Sequence, residues 1–173
     1  MKNIIIRIII SIVVILVISA CSKDEEESTT ITYTCTGSSS GSGPTIGGVT
    51  LKEATYTQES NSFTFVNSTS ANYVYSGQTP FCHTIDVRST TASMYRPNSA
   101  NTGNATIAGG QSIPAYDNVT AYYTIMTYAL ATYHMYIYAD NDSSFYLNGY
   151  VYTSKSSADA YLYMLNSNHY TKQ

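Results

Sequence analysis

Apolar and polar residues alternate with a period of two in several short segments of this chain. These segments are rich in Thr, Val, Tyr and Phe, and turn-forming residues such as Gly77 and Pro80 separate them. They are ITYTCT (31–36), SFTFVN (62–67), NYVYSG (72–77) and HTIDVRS (83–89). Successive side chains of a strand point to opposite faces of a sheet, so this pattern is typical of half-buried strands. The sequence therefore predicts a mostly β domain, an antiparallel sandwich or barrel of about seven to nine strands.

The segment AYYTIMTYALATYHMYIYAD (121–140) has two interpretations. It contains no Gly or Pro, which leaves a helix open. Its many β-branched and aromatic residues, and the alternation in TYHMYIY (132–138), favour two consecutive strands or one long bent strand. The preceding Asn/Gly/Ser/Pro-rich segment, 96–114, predicts an extended loop with one short strand at ATIA.

Near the C-terminus the pattern changes again. In FYLNGYVYTS (145–154), Asn148-Gly149 indicates either a hairpin turn or a glycine bulge within one long strand. In SSADAYLYMLNSN (156–168), Ser156 and Asp159 have capping-box spacing and the apolar residues recur with helical period. One short C-terminal helix is predicted there.

The N-terminus has the organisation of an export signal. Lys2 and Arg7 precede the apolar run IIISIVVILVI (8–18), which small residues follow. The run is shorter than the roughly 20 apolar residues that a membrane span needs, so a cleaved signal is favoured over an anchor helix. The exit ISAC (18–21) resembles the lipobox of bacterial lipoproteins. That resemblance implies a signal peptide at 1–20 and a lipidated Cys21 at the mature N-terminus.

The residues after Cys21 indicate a destination. Ser22 stands where an Asp favours inner-membrane retention in enterobacterial lipoproteins, which implies outer-membrane delivery. The acidic run SKDEEE (22–27) is similar to the surface-export signal of Bacteroidetes lipoproteins. A solvated acidic spacer is the alternative interpretation, and both can hold together. We therefore expect a lipidated Cys21 and acidic tether at 21–29, a single domain at 30–173, and a lipid-anchored protein of the outer membrane, displayed at the cell surface.

Two cysteines remain once Cys21 carries the lipid. Cys35 and Cys82 form an even pair in an oxidising compartment, so a disulfide is predicted, with two buried free thiols as the alternative. The Gly/Ser-rich stretch GSSSGSGPTIGG (37–48) has linker composition. A disulfide would make it a loop within the domain.

No motif for catalysis, a metal or a cofactor is found. His83, His134 and His169 lack partners at metal-ligand spacing, and no nucleophile elbow or phosphate loop occurs. The run DNDSS (140–144) opens like a calcium loop but lacks the required Gly and Glu, so a turn is favoured. From Ser28 onward seven acidic side chains accompany five basic ones, which argues against nucleic acid as a partner. We expect a protein that is not an enzyme and has no cofactor.

Tyrosine is the main aromatic residue, with 18 Tyr, 4 Phe and no Trp. Tyrosine suits recognition surfaces because it offers a large amphipathic area at low conformational entropy, although many tyrosines must serve the core. The densest group is the predicted binding face: Tyr122, Tyr133, Tyr136, Tyr138, Tyr146, Tyr150 and Tyr152. The expected function is a binding module for a glycan or an envelope protein. The alternatives are an assembly accessory of an outer-membrane complex and, less favoured, a small hydrolase.

Overall fold

The described part of the chain is built almost entirely from strands. A computed structural model describes residues 34–36, 41–98, 100, 103–106, 110, 112–148, 151–162 and 169–173. The predicted signal peptide and tether, including Cys21, lie outside these ranges. The elements in chain order are β1 (Ser42–Ile46), β2 (Val49–Lys52), β3 (Thr55–Gln58), β4 (Asn61–Asn67), β5 (Ser70–Val74), β6 (Phe81–Pro97), β7 (Asn104–Thr106), β8 (Ser112–Pro114), β9 (Tyr116–Tyr128), β10 (Ala131–Asn141), β11 (Ser144–Leu147), α1 (Lys155–Ala160) and β12 (His169–Lys172).

Eight of the strands form a closed antiparallel barrel. Its order is β3-β4-β5-β6-β9-β10-β11-β12, and β12 returns to pair with β3. The strands thus follow one another around the barrel in sequence order, with the β7–β8 hairpin inserted between β6 and β9. This architecture confirms the prediction of a mostly β, antiparallel fold, and it is a barrel rather than a sandwich. The described residues contain one short helix, near the C-terminus, as predicted.

Five aromatic side chains pack together in the barrel interior, among aliphatic residues and methionines. Tyr56, Phe63, Phe65, Phe145 and Tyr170 are all buried and lie in one core cluster. Phe63 contacts Phe145 and Tyr170 with ring centroids 5.6 Å and 5.1 Å apart, in T-shaped geometry. The interior of an eight-stranded barrel is about wide enough for side chains to fill or for one small ligand. Four phenylalanines and no tryptophan leave tyrosine to complete this core.

The β1–β2 hairpin closes one end of the barrel. Ile46 and Leu51 belong to the core cluster and are almost fully buried. The backbone N–H of Lys52 donates to the carbonyl of Asp142 at 3.1 Å, in the β10–β11 turn. The Tyr56 hydroxyl donates to the same carbonyl at 2.8 Å. The second half of the predicted linker (37–48) therefore belongs to an ordered hairpin, because its Gly43, Pro44 and Ile46 are buried against the barrel end.

A second apolar cluster lies on the outer face of β9 and β10, under α1. Tyr123, Tyr136, Tyr146 and Ala158 are buried in it. Asn148, also buried, connects the layers: its Oδ1 accepts from the N–H of Tyr136 at 2.7 Å, and its Nδ2 donates to the carbonyl of Ala158 at 2.8 Å. Both faces of β10 are thus covered, one by the barrel core and one by the helix.

The helix starts earlier than predicted. Its N-cap is Ser154, whose Oγ accepts from the N–H of Ser157 at 3.2 Å, so the predicted capping box at Ser156 and Asp159 is wrong. The Asp159 carboxylate instead accepts hydrogen bonds from the Tyr136 hydroxyl and the Lys155 ammonium. Residues 163–168 of the predicted helix lie outside the described ranges.

Several strand predictions need adjustment. The strand alternative for 121–138 is confirmed, since β9 and β10 pair with Tyr128 opposite Ala131, and the helix interpretation is wrong. Residues 34–36 of the predicted first strand lie outside any strand. The predicted strand at 83–89 is part of the longer β6, and the predicted loop contains the β7–β8 hairpin. No helix in the described part of the chain has the length and apolar content needed to traverse a lipid bilayer.

Candidate functional site

The barrel end opposite the β1–β2 hairpin contains a cavity. Neighbouring strands of the barrel are antiparallel, so successive connections alternate between its two ends. The turns β3–β4, β5–β6 and β9–β10 therefore lie together at this end. The cavity has a volume of about 390 Å³, within the range of small-molecule sites. We call it the end cavity and define it by its lining residues: Tyr73, Tyr75, Gln78, Thr79, Phe81, His83, Met126, Tyr128, Tyr133 and Val151.

Strand alternation places the aromatic side chains of the end cavity. Phe81 and His83 are two residues apart on β6, so they share its inner face. Tyr73 on β5 is the register partner of Phe81. Tyr133 on β10 is the partner of Met126 on β9, and both point inward. The cavity therefore forms where the inner faces of four neighbouring strands, β5, β6, β9 and β10, reach the barrel end.

His83 and Met126 form the floor of the end cavity. Met126 is fully buried and His83 is 5% exposed. Nδ1 of His83 lies 2.9 Å from the carbonyl oxygen of Phe81. Because a carbonyl only accepts hydrogen bonds, Nδ1 carries the proton and Nε2 is the acceptor of the neutral ring. Burial lowers the pKa of His83 below its ordinary value of 6.5, which favours this neutral form.

Aromatic rings form the wall around His83. The ring centroids of Tyr73, Tyr128 and Tyr133 lie 5.9, 5.4 and 5.9 Å from the imidazole centroid. Phe81 packs against Tyr128 at 4.9 Å. Burial raises the pKa of Tyr73 to about 12, so its hydroxyl stays neutral and keeps its proton. The wall thus presents ring faces and edges that suit contact with another flat ring.

The rim of the end cavity is held by hydrogen bonds between its turns. The N–H of Gly77 donates to the carbonyl of Ser60 at 3.0 Å, and the N–H of Ser76 donates to Oδ1 of Asn61 at 2.8 Å. These bonds tie the β5–β6 loop to the β3–β4 turn. Tyr75 stands on this loop and is 49% exposed, so it forms part of the entrance.

The lining of the end cavity contains no carboxylate, lysine or arginine among the described residues. A charged ligand would lose its hydration there without an ion-pair partner, which is costly. The described residues also contain no group of three side chains able to hold a metal ion. The arrangement is suited to binding a neutral, ring-shaped molecule.

A second cavity lies between the β1–β2 hairpin and strands β9 and β10. Its volume is also about 390 Å³, and Ile46, Tyr122, Tyr138 and Asp140 are among its lining residues. Its carboxylate, Asp140, is already paired with Arg96. It lacks the ring of aromatic side chains that the end cavity has, so it is the weaker candidate.

The predicted disulfide is present. Cys35 and Cys82 are bonded, with Cα atoms 4.7 Å apart. Cys82 lies between Phe81 and His83 on β6, so alternation directs it away from the end cavity. The N–H of Cys35 also donates to Oδ1 of Asn72 at 2.7 Å, on the neighbouring strand. The segment before β1 is thus fastened to the outside of the barrel beside the cavity.

The predicted tyrosine face is divided between two sides of the barrel. Tyr122 and Tyr133 pack against the barrel core, whereas Tyr138 and Tyr152 pack against the second cluster. Tyr133 lines the end cavity. Tyr150 lies outside the described residues.

The expectation that this group is exposed is wrong for two of its members. Tyr136 is 2% exposed and Tyr146 is 7% exposed. Tyr136 is covered by α1, where the Asp159 carboxylate accepts a hydrogen bond from its hydroxyl. Tyr146 is covered by His169, whose ring stacks on it at 4.0 Å, and by the Arg96 guanidinium. An alternating strand has a solvent-exposed face only when no second layer packs on it, and the sequence pattern alone did not reveal this layer.

The sequence prediction missed Tyr73, Tyr75, Phe81, His83 and Tyr128 as candidate site residues. A local signal existed, because Tyr73 and Tyr75 share one strand face and flank the loop before Phe81. The convergence depends on β6 pairing with β9 across the inserted hairpin, with Ile85 opposite Met126. Such non-local pairing cannot be read from one sequence.

Comparison of the chain with protein-family models, with curated proteins and with solved structures finds no match.

Proposed function

We propose that this chain is a lipid-anchored protein of the bacterial cell envelope whose barrel is a non-enzymatic binding module. Its ligand is a small, neutral, ring-shaped molecule that enters the end cavity. The observation that carries this proposal is a cavity of about 390 Å³ walled by four tyrosines, a phenylalanine and a histidine, with no charged residue in its described lining. Apolar, aromatic-lined cavities with few polar groups are typical of small-molecule sites.

The anchor forms the other half of the proposal. We propose that Cys21 is lipidated after removal of residues 1–20 and that the module is held at the outer membrane, facing the cell surface. The support is the lipobox-like exit ISAC and the acidic run that follows it. Mass spectrometry of the mature N-terminus tests this directly. A diacylglyceryl-modified Cys21 is expected, and an unmodified Cys21 would contradict it.

Binding is tested with the full chain held in lipid nanodiscs. Two neutral ring probes, methyl β-D-glucopyranoside and indole, are titrated calorimetrically, with empty nanodiscs as the reference. We expect at least one probe to bind with a Kd between about 1 mM and 1 μM, the range reached by ligands of this size.

A filling substitution locates the binding. Val151 lines the end cavity, so Val151→Trp should fill it and weaken the bound probe at least about tenfold. The matched control is Val74→Trp, since Val74 follows Tyr73 on β5 and alternation points it away from the cavity. Equal binding by Val151→Trp and the native chain, or no binding of either probe, would refute the proposed function.

A further inference from the structure

The floor of the end cavity holds a hydrogen-bond acceptor that takes no donor from the described residues. Nδ1 of His83 is engaged by the carbonyl of Phe81, which leaves Nε2 as the acceptor. Nε2 accepts no hydrogen bond from the described residues, and His83 lines the cavity. Nε2 therefore takes its donor from water or from a ligand that enters the cavity.

We propose that the end cavity selects a neutral aromatic ligand that donates one hydrogen bond, from an indole-type N–H or a phenol-type O–H, to Nε2 of His83. This inference rests on the proposed function and specifies its ligand. The cavity offers one acceptor at its floor and ring faces on its wall, and the ligand that matches has one donor on a flat apolar ring.

The ligand charge follows from the lining. A carboxylate or ammonium group entering the cavity would find no opposite charge among the described lining residues. The lone pair of Nε2 would also repel an anionic group, unless that group were protonated. A neutral donor meets neither obstacle.

The ring type follows from the number of polar groups at the floor. A sugar ring carries several hydroxyls, each of which must exchange its water for a protein partner. Of the two floor residues, His83 offers one acceptor and Met126 offers only a thioether. An aromatic ring with one donor satisfies the floor, whereas a sugar would leave hydroxyls unpaired there, because Gln78 and Thr79 are exposed on the β5–β6 loop.

The test compares indole with 1-methylindole, which has the same ring system but no N–H donor. Calorimetric titration of the full chain in nanodiscs at neutral pH should give about tenfold weaker binding of 1-methylindole, equivalent to about 1.4 kcal/mol. In His83→Phe, which keeps an aromatic ring but lacks the acceptor, indole and 1-methylindole should bind equally. In His83→Gln, whose amide oxygen can accept, the preference for indole should be partly restored.

A pH titration of the unaltered chain gives a second readout that does not depend on a variant folding. Tyr73 from β5, Tyr128 from β9 and Tyr133 from β10 face the imidazole, and His83 is the group among them that titrates nearest neutrality. Protonation turns Nε2 into a donor. Indole affinity should therefore fall as the pH is lowered through the pKa of His83, which burial holds below 6.5, while 1-methylindole affinity should change less.

The outcomes separate this inference from the proposed function. Equal binding of indole and 1-methylindole by the native chain, weakened by Val151→Trp, would overturn the inference and leave the function standing. Tighter binding of methyl β-D-glucopyranoside than of indole, also weakened by Val151→Trp, would likewise overturn the inference and leave the proposed function standing. If no probe binds, or if Val151→Trp weakens the binding of none of them, both the inference and the proposed function are overturned.

Discussion

Replacing Asn148 with alanine should destabilise the fold more than any exposed substitution. The side chain is fully buried and bonds two backbone groups, the N–H of Tyr136 and the carbonyl of Ala158. Alanine leaves the N–H of Tyr136 buried without its partner, whereas the carbonyl of Ala158 keeps the N–H of Tyr161 at 3.3 Å. An unsatisfied buried group costs about 1–3 kcal/mol and a lost hydrogen bond about 0.5–1.5 kcal/mol, so the expected loss is about 1.5–4.5 kcal/mol. That is a large fraction of the roughly 5–15 kcal/mol that stabilises a domain.

The free energy of unfolding is measured by urea titration of the full chain, followed by far-ultraviolet circular dichroism. Asn118→Ala is the matched control, because Asn118 is an exposed amide on β9. Its effect should stay within about 0.5 kcal/mol. A loss below about 0.5 kcal/mol for Asn148→Ala would refute the reasoning that this amide joins α1 to the barrel.

Three further predictions concern the disulfide, a buried histidine and a glycine turn. Reduction of the Cys35–Cys82 disulfide, which spans 47 residues, should lower the free energy of unfolding by about 4 kcal/mol in the loop-entropy model. Urea unfolding with and without reductant measures this change. A loss below about 1 kcal/mol would contradict the prediction. Burial lowers the pKa of His83, so the stability that its neutral ring contributes should be complete above pH 6.5 and be lost as the pH falls below that value. The urea midpoint should therefore fall less steeply with decreasing pH in His83→Gln than in the native chain. The same pH dependence in both proteins would contradict burial of a neutral His83. Gly47→Ala should destabilise the protein by about 1–3 kcal/mol more than Gly48→Ala. Both glycines have positive φ, but a Cβ at Gly47 would lie 2.5 Å from the Tyr122 ring, whereas a Cβ at Gly48 would meet nothing within 4 Å. Equal thermal midpoints for the two variants would contradict this packing.

Local alternation was sufficient to predict the class of fold. Segments such as SFTFVN became β4, with Phe63 and Phe65 buried on one face. The strand interpretation of 121–138 also held, because its β-branched and aromatic residues outweighed the absence of Gly and Pro. The disulfide followed from the cysteine count and from the expectation of an oxidising compartment. These features depend on short-range pattern or on chemistry that one sequence contains.

The candidate site depended on information that one sequence does not contain. Tyr136 looked like a surface tyrosine because nothing nearby indicates that α1 covers its strand face. His83 looked like an isolated histidine because its neighbours Tyr128 and Tyr133 come from strands more than forty residues away. Asn148 resembled a hairpin signal, yet its amide connects two layers. Non-local packing decided each of these roles.

The most direct test of the end cavity as the binding site is nuclear magnetic resonance of the full chain in nanodiscs, with labelled tyrosine and histidine side chains. The ¹⁵N shifts of free His83 should show a protonated Nδ1 and an unprotonated Nε2. Added indole should then shift Nε2 of His83 and the rings of Tyr73, Tyr128 and Tyr133. Shifts confined to Tyr138 and Tyr152 on the outer face, or no shift at His83, would contradict the account.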